Sequence, residues 1–510
     1  MPPSPRFKSD KLPLILPTVT ALLVVVLLQA LLNFKQQPLA QIPVVGQELG
    51  GDHEKRKQYL ARANELYNEG YQKFRKGIFR IVTSDKSPVL VVPPKFLNEL
   101  RKLPDEILNF EDAVSQRAHF QYLKMAEGAK MIPFTVKSSL TPALPRLGEI
   151  LTDEIERAFR TELPPCESWT PVNINRKLLR IVALVSGRVF IGEELSRTEE
   201  YLDMSINYTL ELMAVRRAVE RMRPWLRPFL VSRLPEIRQL DARLAQADKI
   251  LQPVVSARKQ LADSEKPDDM LQWLLDTQEK HKRYTTDDIA RVQLVITFAA
   301  IHTTTLTATN VFYNMAAYPQ YVPELREEVR SVLAEHGGLY TTSALQSMKK
   351  LDSFIKESMR FDPPNAVAFS RKVRQSFTLS DGQVIPRGVI IEVPAGAVAR
   401  DPTFFDNPDE FNPWRFSQLR QTAREKGEVE TAAQHQFVSV NPTVLTFGYG
   451  AHACPGRFFA ANEIKMILSY ALNNYDIKLP EGVTERYPNV TFGTSSVPDP
   501  TKTLLFQRIR

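Results

Sequence analysis

Two residue types are scarce in this chain of 510 residues. It has only 2 cysteines, Cys166 and Cys454. A disulfide framework is therefore excluded, and any essential thiol is one of these two. It has 20 glycines, where the average usage of ~7% would give roughly 36. No Gly-x-Gly-x-x-Gly sequence and no phosphate-binding loop occurs, so we expect no built-in dinucleotide site.

The remaining composition is that of a folded globular protein. Apolar residues make up 43% and charged residues 24% of the chain, which excludes wholesale disorder, a collagen and a polytopic membrane protein. The net charge of +8 is mild for this length. It fits an anionic membrane surface or an acidic partner and is too diffuse to indicate nucleic acid, so we expect no nucleic-acid partner.

An uncharged stretch covers residues 12–34, after a short N-terminal segment of residues 1–11. It is long enough for a helix to cross the ~30 Å hydrocarbon core, and it lacks the shorter apolar stretch and small-residue cleavage site of a signal peptide. We interpret it as one transmembrane helix. A Pro-containing linker of residues 35–52 then leads to a single domain, residues 53–510. Basic residues on both sides of the span leave its orientation undecided.

The soluble chain has a helical body and a minor β part. Apolar spacing is helical over residues 53–76 and mostly helical over 97–349, and no strand–helix repeat occurs. The fold class is therefore mainly α with a minor β part, α+β and not doubly wound. The predicted strands flank turn residues and cover 78–82, 89–92, 377–379, 383–385 and 389–393. Residues 420–436 are predicted to be a surface excursion in which only Val429 is apolar enough to pack.

The clearest chemical motif is Phe-Gly-Tyr-Gly-Ala-His-Ala-Cys-Pro-Gly over residues 447–456, before a predicted helix at 463–472. Three of the scarce glycines, Gly448, Gly450 and Gly456, bracket Cys454. Glycine permits positive φ and lets the backbone approach a bulky ligand. Backbone N–H groups at a helix start stabilise a thiolate. We therefore expect the pKa of Cys454 to be lowered and its thiolate to be a good metal ligand.

Other roles for this cysteine are less satisfactory. A buried cysteine in a tight turn would not explain the glycines and aromatics around it. A zinc site needs three or four ligands, and neither Cys-x-x-Cys nor His-x-x-x-His accompanies it. A nucleophilic cysteine would need one of only 7 histidines positioned from elsewhere. A single thiolate on a metal whose other ligands come from a macrocycle remains, which is haem.

The segment resembles the Phe-x-x-Gly-x-x-x-Cys-x-Gly signature of cytochrome P450 monooxygenases at every fixed position. The resemblance implies that Cys454 is the axial ligand of the haem iron and that Phe447, Gly448, Gly450 and Gly456 shape the haem-binding loop. Many members carry Arg two residues before the cysteine to meet a haem propionate. Here His452 occupies that place. Lys137 and Arg371 lie where other propionate partners are found in the family.

A second motif, Glu357-Ser-Met-Arg360, lies on a predicted helix that Pro363 and Pro364 stop. Alone, such a pair is usually a solvated surface pair worth a few tenths of a kcal/mol. Its position before the cysteine loop resembles that of the family's Glu-x-x-Arg helix. The resemblance implies that Arg415 completes a buried charge network with Glu357 and Arg360, which supports the haem pocket without taking part in chemistry.

A third motif lies on a long helix predicted from the start signal Thr285-Thr286 to Pro319. Residues 292–323 contain no Asp, Glu, Lys or Arg, but their many polar residues would be costly in lipid, so we predict a core helix. Three successive threonines can bond back to the preceding turn and loosen it, although buried threonines satisfied by backbone carbonyls are the default interpretation. Residues 299–304 resemble the family's Ala/Gly-Gly-x-Asp/Glu-Thr-Thr pattern, which implies that Thr303 assists proton delivery. His302 replaces the acidic residue and is a second catalytic candidate.

The resemblance implies a membrane-anchored P450-like haem-thiolate fold that uses O2 and takes electrons from a separate NADPH-dependent cytochrome P450 reductase, with cytochrome b5 as a further partner. It places the catalytic domain on the cytosolic face of the endoplasmic reticulum. The motifs look most like fungal secondary-metabolism members of the ent-kaurene oxidase-like group, which implies an apolar terpenoid-like substrate. The alternatives are a haem-thiolate isomerase or dehydratase, or a ligand sensor, that needs no reductase.

An arginine-rich stretch, residues 216–233, interleaves Trp225, Phe229 and other apolar residues with its basic ones. Two interpretations stay open for it. It is either a solvated helix face or, in an anchored protein, a surface that dips into the membrane interface.

Overall fold

The chain is mainly helical, as its apolar spacing predicts. The computed structural model describes Thr20 and residues 39–84, 87–124, 126–281 and 288–509, so the predicted transmembrane helix lies outside the described residues except for Thr20. In chain order the helices are α1 Asp52–Lys73, α2 Leu97–Leu100, α3 Phe110–Ala118, α4 Phe120–Leu123, α5 Ile132–Thr135, α6 Thr141–Glu162, α7 Ile174–Phe190, α8 Glu193–Ser196, α9 Glu199–Arg221, α10 Arg227–Leu230, α11 Pro235–Arg258, α12 Met270–Lys280, α13 Ile289–Ala317, α14 Val322–Glu335, α15 Thr342–Ser347, α16 Lys349–Phe361, α17 Ala395–Ala399, α18 Arg415–Glu425, α19 Val429–Gln434 and α20 Arg457–Asn474.

The β part consists of small sheets beside this helical body. The strands are β1 Phe79–Ile81, β2 Val89–Val91, β3 Leu108–Asn109, β4 Thr170–Val172, β5 Ala368–Val373, β6 Phe377–Thr378, β7 Val384–Ile385, β8 Ile390–Val393, β9 Tyr475–Lys478, β10 Asn489–Phe492, β11 Ser495–Pro498 and β12 Leu504–Arg508. The largest sheet has the order β1-β2-β8-β5-β3, and only the β2–β8 pair is parallel. The predicted α+β class and the hairpin of β1 and β2 are confirmed.

The end of the predicted linker packs against the first hairpin. The Val45 amide donates to the carbonyl of Arg80 at 2.9 Å, and the Arg80 amide donates to the carbonyl of Pro43 at 2.8 Å. Ile42 is buried in the core around the largest sheet. Residues 42–45 therefore continue the edge of this sheet and do not stand clear of the domain.

The long helix α13 crosses the protein core. It packs against α7, α9, α11, α16 and α20, and most of its side chains are buried. Of the described helices it alone is long and apolar enough to cross a membrane, but the protein surrounds it. Several of its polar groups have internal partners, as where the Gln293 side chain donates to the carbonyl of Phe190 at 2.8 Å. The prediction of a core helix is confirmed, whereas its start signal lies outside the described residues.

The threonine run does not interrupt this helix. The Thr303 and Thr307 hydroxyls donate to carbonyls four residues earlier, at 2.7 and 3.0 Å, as the sequence predicts. The helix nevertheless runs unbroken from Ile289 to Ala317, so the predicted loosening is wrong. A hydroxyl can share a carbonyl that already accepts the helical hydrogen bond, because the oxygen has two lone pairs.

The surface excursion near residue 430 packs differently from the prediction. Val429 is 74% exposed, whereas the small side chains of Ala423 and Ala432 are buried. The buried amine of Lys356 donates to the carbonyls of Gln434 and Gln436, at 2.9 and 2.8 Å, and fixes the end of α19. The sequence pattern did not show this because alanine gives little apolar signal and the anchoring lysine lies far away in the chain.

A buried carboxyl group joins α20 to two other core helices. Glu463 is fully buried, accepts a hydrogen bond from Ser186 of α7 at 2.7 Å, and also interacts with the Thr304 hydroxyl of α13. Burial raises its pKa from 4.5 to about 8, because the two hydroxyls only partly replace hydration of the charged form. The side chain is therefore mainly protonated at neutral pH.

This protonation predicts how stability depends on pH. Between pH 4.5 and 8 the folded chain holds a proton on Glu463 that the unfolded chain releases, so stability falls as pH rises through that window. Glu463→Gln removes this titration. We expect the wild type to lose on the order of a few kcal/mol relative to the variant across the window, measured by denaturant unfolding at several pH values. Glu485→Gln, at an exposed position, is the control. Parallel pH profiles for wild type and Glu463→Gln would contradict the assignment.

Candidate active site

The loop before α20 has the backbone shape that its glycines predict. Gly448 and Gly450 have φ of 75° and 77°, in the left-handed region that favours glycine. At Gly450 a Cβ would also lie 3.1 Å from Cβ of Arg101, closer than normal contact. The Cys454 amide donates to the carbonyl of Phe447 at 2.7 Å and closes the loop. Gly456 caps α20, which begins earlier than the sequence predicts, at Arg457.

The electrostatics of the thiol differ from the sequence expectation. Burial raises the pKa of Cys454, and this outweighs the backbone amides of Gly456 and Arg457 and the Arg457 charge, which lower it. The prediction of a lowered pKa is therefore wrong for the protein alone. The amides at the helix start do act in the predicted direction. A thiolate in so buried a place needs a bound cation as its counter-charge.

The surroundings of Cys454 fit a large flat ligand. At Gly456 a Cβ would meet no protein atom within 4 Å. In the middle of the otherwise buried α13, Ala299 and Thr303 are exposed and lie one turn apart on one face. Because this helix crosses the core, the exposed stripe faces a space inside the protein. The residues described contain no group of three or more His, Cys, Asp or Glu able to hold a metal by themselves. A macrocyclic iron ligand fits this donor set.

Two of the predicted propionate partners lie together. Arg371 is buried, its guanidinium lies over the rings of Phe369 and Phe110, at 4.2 and 4.9 Å from their centroids, and it donates to the carbonyl of Ser370. Burial lowers its pKa to about 10. The His452 ring stacks on Phe110, one of the two rings that the Arg371 guanidinium contacts, with centroids 4.7 Å apart. A buried cation with no carboxylate in hydrogen-bonding contact among the described residues fits an anionic ligand group.

Three of the residues predicted to bind the cofactor, His452, Lys137 and Phe447, have the following contacts with the rest of the chain. His452 places Nε2 3.2 Å from a carboxylate oxygen of Asp105. Lys137 is exposed in a π-helical turn, Val136–Leu140, and no hydrogen bond or ion pair joins it to the Arg371 cluster in the described part of the chain. Phe447 packs its ring on Phe437, with centroids 5.2 Å apart. The structure thus brings Arg371 and His452 together and leaves Lys137 apart from them.

Glu357 lies at the centre of a buried charge cluster. The guanidinium of Arg360 donates to both of its carboxylate oxygens at 2.8 Å, and Nε of Arg415 lies 3.2 Å from both. The backbone amide of Asn412 donates to it as well, at 3.0 Å. The glutamate is fully buried, and the two arginines are 2% and 7% exposed. The structure therefore brings the three predicted network residues into one cluster.

The two arginines connect this cluster to the backbone of residues 399–410, which come before the cysteine loop in the chain. Arg360 donates to the carbonyls of Ala399 and Pro408 at 2.8 Å and to that of Glu410 at 3.2 Å. Arg415 donates to the carbonyls of Asp406, Asn407 and Glu410. Each guanidinium thus satisfies most of its donors on backbone that has no regular secondary structure, and this fixes the path of residues 399–412.

The two catalytic candidates on α13 face different surroundings. Thr303 is exposed on the internal stripe, with its hydroxyl 2.7 Å from the Ala299 carbonyl. His302 is mostly buried and directs Nε2 toward the carbonyl of Ile206 on α9, at 2.9 Å. Burial lowers its pKa. The imidazole is therefore neutral at neutral pH and is turned toward a helix, not toward Thr303.

Several residues of this region were not predicted from the sequence. Phe110 and Asp105 join the Arg371 and His452 cluster, and Glu463 joins the helix after Cys454 to α13. Glu463 carried a signal, because an acidic residue within the apolar run of a helix demands a partner. Phe110 and Asp105 carried none, since nothing in their local sequence relates them to residues far away in the chain.

Comparison with known proteins agrees with these features. A family model described as Cytochrome P450 matches residues 64–505. Cytochrome P450 monooxygenase ATR3 of Stachybotrys chlorohalonatus is 39% identical over 83% of this chain and 89% of its own length. Cytochrome P450 monooxygenase AN1598 of Emericella nidulans is 37% identical over 86% and 82%. Cytochrome P450 monooxygenase braC of Annulohypoxylon truncatum is 33% identical over 92% and 93%.

The Glu357 cluster yields a stability prediction. Glu357→Ala leaves two buried guanidinium groups without their counter-charge, so we expect a loss of about 3–5 kcal/mol in the free energy of unfolding, measured by denaturant titration. Glu327→Ala, at an exposed position on α14, is the control and should change stability by less than about 0.5 kcal/mol. Equal losses in the free energy of unfolding for the two variants would show that the cluster contributes no more to stability than an exposed residue does.

Proposed function

The chain belongs to the cytochrome P450 family and is a monooxygenase of the fungal secondary-metabolism type, and from this premise we propose a membrane-anchored enzyme that oxidises an apolar, terpenoid-like substrate. It uses O2 and electrons from a separate NADPH-dependent reductase. The observation that carries the proposal is the glycine-bracketed Cys454 at the start of α20, in a protein whose core helix exposes Thr303 to an internal space.

Cys454 is the residue that holds the haem iron in this proposal. When bound, thiolate-ligated haem supplies the activation of O2 for insertion into a substrate. Positive φ at Gly448 and Gly450 turns the chain back so that the Phe447 carbonyl binds the Cys454 amide. Arg371 and His452 lie where they can meet the anionic edge of the cofactor, and Lys137 is a third candidate for that contact.

The Thr303 hydroxyl is the proton-handling group on the internal stripe. It donates to the Ala299 carbonyl at 2.7 Å, and its oxygen can still accept a hydrogen bond from water in the adjoining space. The apolar residues around the stripe exclude bulk water and suit an apolar substrate. Glu357, Arg360 and Arg415 hold the chain on the cysteine side of the protein and take no part in the chemistry.

Electrons must come from another protein, because the chain has no dinucleotide-binding motif. An NADPH-dependent cytochrome P450 reductase is the proposed donor, and cytochrome b5 is a second one. The net charge of +8 favours such association if the donor is acidic. The terpenoid class of substrate is supported by the ent-kaurene oxidase-like style of residues 299–304 and 452–460.

The proposed location is the endoplasmic reticulum membrane, with a single span at residues 12–34 and the catalytic domain in the cytosol. A second surface supports membrane contact. Trp225 and Phe229 are 60% and 69% exposed, and the exposed Arg223 and Arg233 flank them. Aromatic and basic residues together suit the interface of an anionic membrane. We call these four residues the 223–233 surface.

The ligand assignment predicts a spectroscopic difference between the two cysteines. Cys454→Ala should abolish the red-shifted absorbance that carbon monoxide gives with reduced thiolate-ligated haem. Cys166→Ala removes the only other thiol and should retain this absorbance, because the Cys166 side chain is buried and lies far in the chain from the loop that carries Cys454. The Cys166 backbone carbonyl accepts a hydrogen bond from the amide of Arg508 on β12, and the substitution leaves this bond in place. Retention of the absorbance by Cys454→Ala would refute the ligand assignment.

Reconstitution tests the reaction and its electron source. The purified full chain is incubated with candidate terpenoids, O2, NADPH and a reductase, and products are detected by mass. We expect one oxygen atom per product from labelled O2 and no product when the reductase is omitted. Product without reductase would instead support an isomerase or dehydratase. A ligand-induced spectral change without any product, across the terpenoids tested, would favour a sensor.

Membrane contact of the 223–233 surface is tested with vesicles of phosphatidylcholine and phosphatidylserine. A chain truncated before residue 39 should still bind them weakly, because the aromatic and basic residues remain. Replacing Trp225 and Phe229 with Asp in that chain should lower vesicle binding by at least about tenfold. Val429→Asp alters an equally exposed side chain on α19 and should change nothing. Equal binding by all three chains would count against the surface.

A further inference from the structure

The side chain of His302 connects two helices beside the internal stripe. Its Nε2 lies 2.9 Å from the carbonyl oxygen of Ile206, in the middle of α9. A carbonyl oxygen can only accept, so Nε2 carries the hydrogen and donates it, and Nδ1 is left as an acceptor. Ile206 is itself within a helix, and its oxygen has a second lone pair for this contact. The bond therefore joins α13 to α9 directly.

The same face of α13 makes a second contact with α9. Phe298, one turn before His302, meets Tyr208 edge to face, with ring centroids 6.4 Å apart. Further away, Arg243 of α11 binds Asp203 and Glu211 of α9, which fixes the outer side of that helix. His302 is thus a hydrogen-bonding contact on the inner side of α9, and it lies next to Thr303 in the chain.

An acidic residue could replace His302 in this arrangement only in its protonated form. A carboxylate has no hydrogen to donate and would place a negative charge against the Ile206 carbonyl in a buried site. The pattern that residues 299–304 resemble has an acidic residue at this position. The substitution by His is therefore matched to the packing of α9, and the imidazole supplies a neutral donor where an acidic side chain would first have to take up a proton.

We propose that His302 is a positioning residue that ties α9 to α13 through the Ile206 carbonyl and so sets the substrate space beside Thr303. It does not deliver protons. The role in substrate binding rests on the proposed function, whereas the tie between the helices does not. Loss of the tie lets α9 move away from the stripe, which weakens substrate binding more than it slows turnover.

The first test is amide hydrogen exchange of the full chain, which needs no turnover. His302→Gln keeps a neutral N–H donor at similar reach. His302→Glu introduces a side chain of nearly the same shape as glutamine, but one that carries a charge when it is ionised. We expect roughly fivefold faster exchange across α9 in His302→Glu and His302→Ala, and wild-type exchange in His302→Gln. The matched control is His336, whose ring contacts the Val332 carbonyl of its own helix, with the same three substitutions. Unchanged α9 exchange in His302→Ala would overturn the proposal.

The second test separates positioning from proton delivery. We expect KM to rise roughly fivefold in His302→Ala and His302→Glu, with kcat within about twofold of wild type, and His302→Gln to restore KM. If His302→Glu equals or exceeds the wild type in product formed per NADPH, position 302 acts as an acid and the proposal is wrong. If the wild type itself gives no oxygenated product, the proposed function fails, and the exchange measurement still decides whether the tie exists.

Discussion

One buried carboxylate organises the cysteine side of the protein. Glu357 is the shared counter-charge of two guanidinium groups that are themselves almost completely buried, and each of these groups holds several backbone carbonyls between Ala399 and Glu410. Such a cluster contributes little net stability when complete but is costly to break, since removal of one partner leaves a buried charge. Its main effect is to fix an irregular stretch of chain in one conformation, and α18, α19 and then the loop that carries Cys454 come after that stretch.

The ionisable groups next to Thr303 on α13 are mainly neutral. Several polar side chains of this helix reach carbonyls within the protein, and Glu463, which interacts with its Thr304 hydroxyl, is held mainly in its neutral form. His302 is also neutral. Near Thr303 the helix is thus flanked by neutral hydrogen-bonding groups, whereas the Arg486 guanidinium contacts it further along, at Asn310 and Asn314. Arg371 keeps a buried charge that an anionic ligand group can compensate.

Local patterns in the sequence predicted many of the elements. Period-two apolar runs beside turn residues predicted the hairpin of β1 and β2, and the uncharged but polar stretch after residue 291 predicted a core helix. Three clustered glycines predicted the positive φ of the loop before Cys454. Two of the failures have one physical origin. The pKa of Cys454 and the packing near Val429 both depend on burial, and burial is set by neighbours that are distant in the chain.

The sequence by itself determined the family, the thiol proposed as the metal ligand and the residue types of the charge cluster, because these follow from short fixed spacings and from the chemistry of single side chains. Only the tertiary structure decided which groups meet. It placed Phe110 between Arg371 and His452, Ser186 against Glu463, and the Ile206 carbonyl against His302. A hydrogen bond requires its atoms to lie within about 3 Å, and the packing of whole helices, which no local spacing encodes, brings such atoms together.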